Sequence, residues 1–308
     1  MRKTIPQLLQ LASRQINNLD AELILSHILG EPREYILSHP EKNVDLLTQL
    51  KFKKFLKKRA NNIPLAYITG HKEFFGLDFV VNKHTLIPRP DTEILVEEAI
   101  KTINRQPTTG KTLLVDIGTG SGCIPISILK TIKTFRTSRT FTAFAIDISK
   151  KALKVAKRNA KKHNVDITFL HGNLLKALIS HKHLNTQILK HIFITANLPY
   201  LTEEQYNSEP SIQHEPKSAL IAKDGGLELY KKLLQQIKQL STTYNLQPTT
   251  YLEIDPSQKQ KIITLIKEIW PNIQVEINPA PLFLKKKWCW VKKDLAGQDR
   301  VVVLKIDN

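Results

Sequence analysis

The sequence predicts a doubly wound α/β sheet preceded by a small N-terminal helical domain. Three observations predict it. Residues 5–59 carry apolar side chains at helical spacing. Beyond residue 110, short apolar runs alternate with amphipathic stretches, as strands and helices do in turn. A glycine-rich turn, Gly118-Thr119-Gly120-Ser121-Gly122, joins the first of those strands to the helix that follows. A chain of 308 residues, 41% hydrophobic, is long enough for one large domain or two unequal ones and for a sizeable core.

Taken in order, Leu8, Leu9, Leu11, Leu19, Leu23, Ile24, Ile28 and Leu29 recur at helical spacing, and Gly30 with Pro32 ends a helix. Leu46, Leu47, Leu50, Phe52, Phe55 and Leu56 form a second amphipathic stretch. The texture changes at Pro64. Residues 66–70 and 73–81 read as a β-hairpin or two short strands. Asp91 reads as the cap of a helix carrying Ile94, Leu95, Val96, Ala99 and Ile100. Strands are then expected at 112–117, 141–146, 167–170, 192–196 and 250–254, with helices at 124–130, 150–162, 227–240 and 258–270. Two last strands, near 274–277 and 300–306, suggest a hairpin that adds an antiparallel edge. The expected domains are 1–63, helical; 64–85, a hairpin linker; and 86–308, the α/β domain.

Composition narrows the class. The two cysteines, Cys123 and Cys289, provide neither a disulfide framework nor a metal-ligand spacing. No apolar run reaches the roughly 18–20 residues that cross a bilayer, and residues 1–6 do not read as a signal peptide. The expectation is a soluble cytoplasmic protein without a metal and without a membrane partner. The formal net charge of +18 has two readings: weak attraction to RNA or the ribosome, or lysine-rich solvated helix faces.

The glycine turn carries chemistry. Its Gly-x-Gly-x-Gly spacing departs from the dinucleotide fingerprint, and no Gly-Lys-Ser/Thr follows to make a phosphate loop. Asp116 stands just before it, where a carboxylate disfavours phosphate and suits a cation such as an amino-acid ammonium. Asp147 closes the next strand, the place from which an acid accepts hydrogen bonds from two ribose hydroxyls. Together they describe a pocket for a nucleoside bearing an amino acid, which is S-adenosyl-L-methionine. A plain strand-turn-helix and a nicotinamide dinucleotide site are the competing readings.

The fourth strand runs into Asn197-Leu198-Pro199-Tyr200. Asn197 offers a side-chain carbonyl, and Pro199 holds Leu198 extended so that its backbone carbonyl can face a substrate. Two such acceptors hold the two N–H groups of an amide or an exocyclic amine, and Tyr200 supplies a flat face. Catalysis on this account is orientation and proximity and needs no strong base. The competing reading is an ordinary turn.

These segments resemble the N5-glutamine methyltransferases of peptide chain release factors (the HemK/PrmC type). The resemblance covers nearly the whole chain. It rests on Leu86-Ile87-Pro88-Arg89-Pro90-Asp91-Thr92-Glu93, the glycine loop, Asn197-Leu198-Pro199-Tyr200, the following insert with His214-Glu215-Pro216, Asp224-Gly225-Gly226-Leu227, and the ending 293–300. It implies a class I S-adenosylmethionine-dependent methyltransferase with a Rossmann-like seven-strand sheet. It also implies an N-terminal domain that recognises the release factor, and a glutamine target in the factor's Gly-Gly-Gln motif. Carried over by position, Asp116, Gly118, Thr119, Gly120, Ser121, Gly122, Asp147, Asn173, Leu174 and Asn197 would bind the cofactor, Leu174 at the adenine. Asn197, Leu198, Pro199, Tyr200 and Arg89 would bind substrate, with Asn197, Pro199 and Tyr200 catalytic. The segment 87–90 is expected to border the cleft and to help fix the domain junction. Two departures stand out: Leu198 replaces the family's usual first proline, and Asn173 replaces a frequent aspartate. Asn-Leu-Pro-Tyr also resembles the motif of ribosomal RNA adenine dimethyltransferases. The rival functions are therefore adenine N6 methylation of RNA and a catalytically silent binding module.

Overall fold

The computed structural model describes residues 2–105, 111–134, 140–180, 189–276 and 287–306. Two compact units divide the chain, Met1–His71 and Lys72–Asn308.

The first unit contains β1 (Lys3–Thr4), α1 (Ile5–Ala12), α2 (Asn18–Leu29), α3 (Arg33–Ser38), β2 (Asn43–Val44), α4 (Leu46–Ala60) and α5 (Leu65–Thr69). Local chemistry sets the ends. The Asn17 side chain accepts the Asp20 N–H at 2.8 Å to start α2, and Gly30 at φ +71° stops it in the left-handed conformation. Asp45 caps α4 by accepting the N–H groups of Leu47 and Thr48. Ile5, Leu8, Ile24, Leu25, Ile36, Phe52 and Leu56 close the core of the unit. The apolar stripe of α4 is narrower than its leucines suggest. Gln49, Phe52 and Leu56 are its buried positions, while Leu46, Leu47 and Leu50 are exposed. The short pairing of β1 with β2 has no signature in the sequence.

Residues 66–69 of the stretch 66–70, expected as a strand, are helical. Pro64 precedes α5 with its fixed φ, and Gly70 at φ +80° closes a single turn with its N–H on the Ala66 carbonyl. The hairpin lies wholly in the next stretch, β3 (His71–Phe74) and β4 (Leu77–Val80). It is a packed wall and not a linker: Phe74 and Phe79 are buried among the side chains of the second unit's core. Asn159 clamps Val80 through two hydrogen bonds, accepting its N–H at 2.8 Å and donating to its carbonyl at 2.9 Å. Asp91 does not cap a helix. A 3₁₀ turn, Pro90–Thr92, leads into α6 (Glu93–Arg105), and the Asp91 carboxylate pairs instead with Arg300 at 3.2 Å.

The rest of the second unit alternates as expected. It runs β5 (Lys111–Ile117), α7 (Cys123–Thr134), β6 (Thr140–Asp147), α8 (Lys150–His163), β7 (Thr168–His171), α9 (Lys176–Ile179), β8 (Leu189–Ala196), α10 (Glu203–Ser208), α11 (Glu228–Tyr244), β9 (Pro248–Glu253), α12 (Lys259–Ile269), β10 (Gln274–Glu276), β11 (Trp288–Lys293) and β12 (Asp299–Lys305). The sheet order is β10-β11-β12-β9-β8-β5-β6-β7. β5 to β9 are parallel, whereas β12 inserts antiparallel between β9 and β11. Two expectations need correction. Among the described residues the sheet has eight strands, because three-residue β10 adds to the edge of β11. The closing hairpin is β11–β12, and the pair expected near 274–277 and 300–306 does not form; residue 277 itself lies outside the described residues. β11 hides in a lysine run because Trp288, Cys289 and Trp290 are all buried, so no in-out alternation marks it.

Candidate active site

β5 lies between β6 and β8, so the chain winds outward from it in both directions. A crevice opens beyond the carboxyl ends of strands at such a switch point. Here it is a cavity of about 970 Å³, lined by the glycine loop, by Asp147, Ile148 and Ser149, by Asn173 and Leu174, by Asn197, Leu198 and Pro199, and by Arg89 and Thr92.

Each wall has a cause. The glycine loop folds back on β6: the N–H groups of Gly118 and Thr119 both donate to the Ile146 carbonyl, at 2.8 and 3.0 Å. Gly118 sits at φ +71°, a conformation that favours glycine, and a Cβ there would press on Leu198 Cδ2 at 3.1 Å. The Asp147 carboxylate accepts the N–H of Gly120 at 2.9 Å and of Ser149 at 2.7 Å. Burial raises its pKa, and those two backbone N–H groups oppose the rise. A carboxylate offers about four lone-pair sites, so two remain for hydroxyl donors. Leu174 holds a left-handed backbone at φ 53°, a conformation that costs a side chain-bearing residue about 1–2 kcal/mol. Its neighbours fix it there: Gly172 donates to the Asp147 carbonyl at 3.1 Å, and Leu175 donates to Gln236 Oε1 at 2.8 Å.

Asn197 is oriented by the segment preceding α6. Its Nδ2 donates to Thr92 Oγ1 at 3.1 Å. The Leu198 N–H meets the Tyr230 hydroxyl at 3.3 Å, and that hydroxyl donates to the Glu253 carbonyl. The Tyr200 carbonyl accepts from Gln258 Nε2 at 3.1 Å. Arg89 forms an ion pair with Glu215, whose other oxygen accepts the Ile87 N–H at 2.8 Å. Glu215 is only 4% exposed, so the two segments that carry Arg89 and Glu215 are tied through a buried carboxylate.

Three expected residues stand behind the cavity wall and do not line it. Asp116 is fully buried, accepts the Thr195 hydroxyl at 2.6 Å, and has its pKa pushed up to about 7 by burial. Its other oxygen, Oδ2, has no hydrogen-bond partner among the described residues. Gly122 packs α7 against Ala156 of α8. Tyr200 packs against the core, and burial raises its hydroxyl pKa. Its backbone, more than its ring, is held at the site. The remaining expected residues, Arg89, Gly118, Thr119, Gly120, Ser121, Asp147, Asn173, Leu174, Asn197, Leu198 and Pro199, all line the cavity.

Sequence reasoning missed Thr92, Glu215, Tyr230 and Ile148. The first two lie inside the segments that carry the family resemblance and could have been named. Tyr230 and Gln258 reach the segment from elements distant in sequence and leave no local pattern. Ile148 lines the cavity yet is 63% exposed, an apolar surface beside Asp147 suited to a flat base. Among the described residues, no cluster of His, Cys, Asp or Glu could hold a metal, and no helix is long and apolar enough to cross a membrane.

The walls suit a nucleoside: an acid with spare lone pairs, an exposed aliphatic side chain next to it, and a glycine loop that allows close approach. Asp147→Ala is expected to weaken binding of S-adenosyl-L-methionine by about 1–3 kcal/mol, the range for hydrogen bonds to a charged group. Titration calorimetry reads this directly, and unchanged affinity in a folded variant would remove Asp147 from the site.

Comparison with known proteins agrees with this geometry. Residues 2–70 match the model of the PrmC N-terminal domain, and residues 108–275 match that of a methyltransferase domain. The release factor glutamine methyltransferase of Bacillus anthracis is 30% identical over 288 residues, covering 93% of this chain and 92% of that one. The same-named protein of Enterococcus faecalis is 32% identical over 269 residues, covering 87% and 84%. That of Nitratidesulfovibrio vulgaris is 30% identical over 300 residues, covering 96% and 90%. With a class I methyltransferase fold, a glycine-loop cavity at its switch point and relatives aligned along almost its full length, this chain belongs to the release factor glutamine methyltransferase family.

Proposed function

We propose that this enzyme methylates the side-chain amide nitrogen of a release-factor glutamine, using S-adenosyl-L-methionine. The observation that carries the reading is the fixed amide of Asn197. Its nitrogen is committed to Thr92, and its oxygen accepts no hydrogen bond from the described residues although Asn197 lines the cavity. A carbonyl oxygen presented in this way accepts an N–H of a planar amide and sets its plane. On this reading the Leu198 backbone carbonyl, which lies 3.4 Å from the buried Tyr230 hydroxyl, would supply the second acceptor, and the hydrogen bond from Gln258 to Tyr200 anchors the far end of the segment. When bound, S-adenosyl-L-methionine supplies an electrophilic methyl group on a sulfonium. Asp147 and the 118–122 loop would hold its nucleoside end. The chain itself contributes orientation: a near-attack geometry held by rigid elements supplies much of the barrier reduction in such transfers.

Leu198 is compatible with this reading, because its side chain packs over Gly118 and any residue at this position carries the backbone carbonyl. The match of residues 2–70 to the PrmC N-terminal domain favours a protein target over RNA adenine. The basic charge enters only as a secondary contact. Lys150, Lys151, Lys154, Lys157, Arg158 and Lys161 line the exposed side of α8, which carries no acid, and would attract RNA or the ribosome weakly in a cytoplasmic setting. Incubation with methyl-labelled S-adenosyl-L-methionine, bacterial release factors and ribosomal RNA, followed by mapping of the label, tests the proposal. Label on the release-factor glutamine is expected. Label on RNA adenine with none on the protein would overturn it.

A further inference from the structure

Glu253 has no part in the chemistry described above, yet it is among the most deeply buried acids in the molecule, at 1% exposure. It ends β9, one residue past the pairing of Leu252 with Ala196, so it stands beside Asn197 on the same face of the sheet. Thr92, Asn197 and Arg300 are the neighbours that favour its charge, and Asn197 in turn donates to Thr92 at 3.1 Å. Its Oε2 nevertheless has no hydrogen-bond partner among the described residues. A buried, incompletely satisfied carboxylate costs stability and calls for a reason.

We propose that Glu253 is a positioning residue whose negative charge locks the Asn197 amide with its nitrogen inward and its oxygen toward the cavity. The inference rests on the reading of Asn197 as the amide-binding residue. An ionised carboxylate only accepts hydrogen bonds. Asn197 Nδ2 donates to Thr92 Oγ1 at 3.1 Å, which leaves the Thr92 O–H free to turn toward the carboxylate. Any direct contact of Asn197 with the carboxylate likewise demands the NH₂ group. Both constraints send the Asn197 oxygen outward. A protonated Glu253, or a glutamine there, carries a donor of its own. The Asn197 amide can then turn its oxygen inward and present N–H groups to a substrate that also presents N–H groups.

The environment places this switch near neutrality. Burial pushes the Glu253 pKa up to about 7, opposed by Thr92, by the Arg300 guanidinium of β12 and by Asn197, while Asp91 adds to the rise. Other titratable neighbours are Tyr200 and Tyr230, whose pKa values burial raises, and Cys123, whose thiol burial pushes up to about 12. Asp294 is drawn below the usual carboxylate range by the Gln298 N–H and, less strongly, by Arg300, and remains charged. Asp116 on β5, whose pKa burial also pushes up to about 7, could mimic Glu253 in a pH profile. Because the substitution below leaves Asp116 in place, it separates the two.

The test combines a spectroscopic and a kinetic readout on the full chain. In the free protein, the side-chain NH₂ resonances of Asn197 should shift with a midpoint near neutral pH. Glu253→Gln should abolish that shift and leave S-adenosyl-L-methionine affinity within about twofold. It should lower turnover on a release factor by about 10–100-fold at high pH, the scale of a lost near-attack orientation, and flatten the rise of kcat with pH. Thr92→Val breaks the same chain from its middle and should also remove the Asn197 shift, which keeps the idea testable if Glu253→Gln folds poorly. A wild-type Asn197 amide that does not titrate, or one that titrates unchanged in Glu253→Gln, overturns the proposal. An amide that titrates as described in an enzyme that never methylates glutamine sustains the lock and counts instead against the proposed function.

Discussion

Asn197→Ala is expected to lower turnover by about 10²-fold or more while sparing most of the affinity for S-adenosyl-L-methionine. The reason lies in which groups the residue touches. Asn197 lines the cavity and its nitrogen is held by Thr92; on the proposed reading its oxygen is the substrate acceptor, so truncation removes that acceptor and no hydrogen bond of the 118–122 loop or Asp147. Loss of an orienting contact that enforces near-attack geometry has effects on the order of 10². Single-turnover methyl transfer with saturating cofactor, alongside calorimetry, separates the two quantities. Equal losses in both would mean that Asn197 serves the cofactor. Asn197→Asp sharpens the test. It keeps an acceptor in the cavity but cannot donate to Thr92, and it brings a second carboxylate beside Glu253. Turnover should fall here too, with cofactor affinity held or raised by the added negative charge near a sulfonium.

Gly226→Ala should be the most disruptive single methyl group in the second unit. Gly226 has φ +84°, and a Cβ built there would lie 2.0 Å from the Tyr200 carbonyl oxygen and 2.4 Å from Gln258 Nε2. Both are parts of the hydrogen bond that anchors the 197–200 segment. The left-handed backbone costs about 1–2 kcal/mol for a residue with a side chain, and forcing a neighbour aside in a packed site adds about 1–3 kcal/mol. A loss of about 2–5 kcal/mol in chemical denaturation is expected. In whatever fraction remains folded, turnover should fall steeply, because the Tyr200 carbonyl must move and displacements near 1 Å at a reacting centre cost on the order of 10²-fold. Native stability together with native activity would show that the segment tolerates movement and that its rigidity is not what orients the substrate.

The sequence by itself determined the parts whose physics is local. Glycines at 118, 120 and 122 between an apolar strand and a helix, an acid ending the next strand, and Asn-Leu-Pro-Tyr ending a later one each depend on chain neighbours. The structure gathers most of them around one cavity. Period-based helices such as α8 and α11 were legible for the same reason, since one buried stripe marks each. The elements it hid depend on contacts distant in sequence. β11 is buried on both faces and carries lysines at its end, so neither alternation nor composition distinguishes it from a solvated run. The stretch 66–70 has strand-like residues, but Pro64 and Gly70 close it as one helical turn. The depth of Asp116, the ion pair of Arg89 with Glu215, and the placement of Glu253 behind Asn197 were decided only by the tertiary structure. The last two bring residues 126 and 56 positions apart into one site. A side chain's role there is set by which neighbours bury it and which hydrogen bonds they leave open. Those are properties of the packed sheet, and no window along the chain contains them.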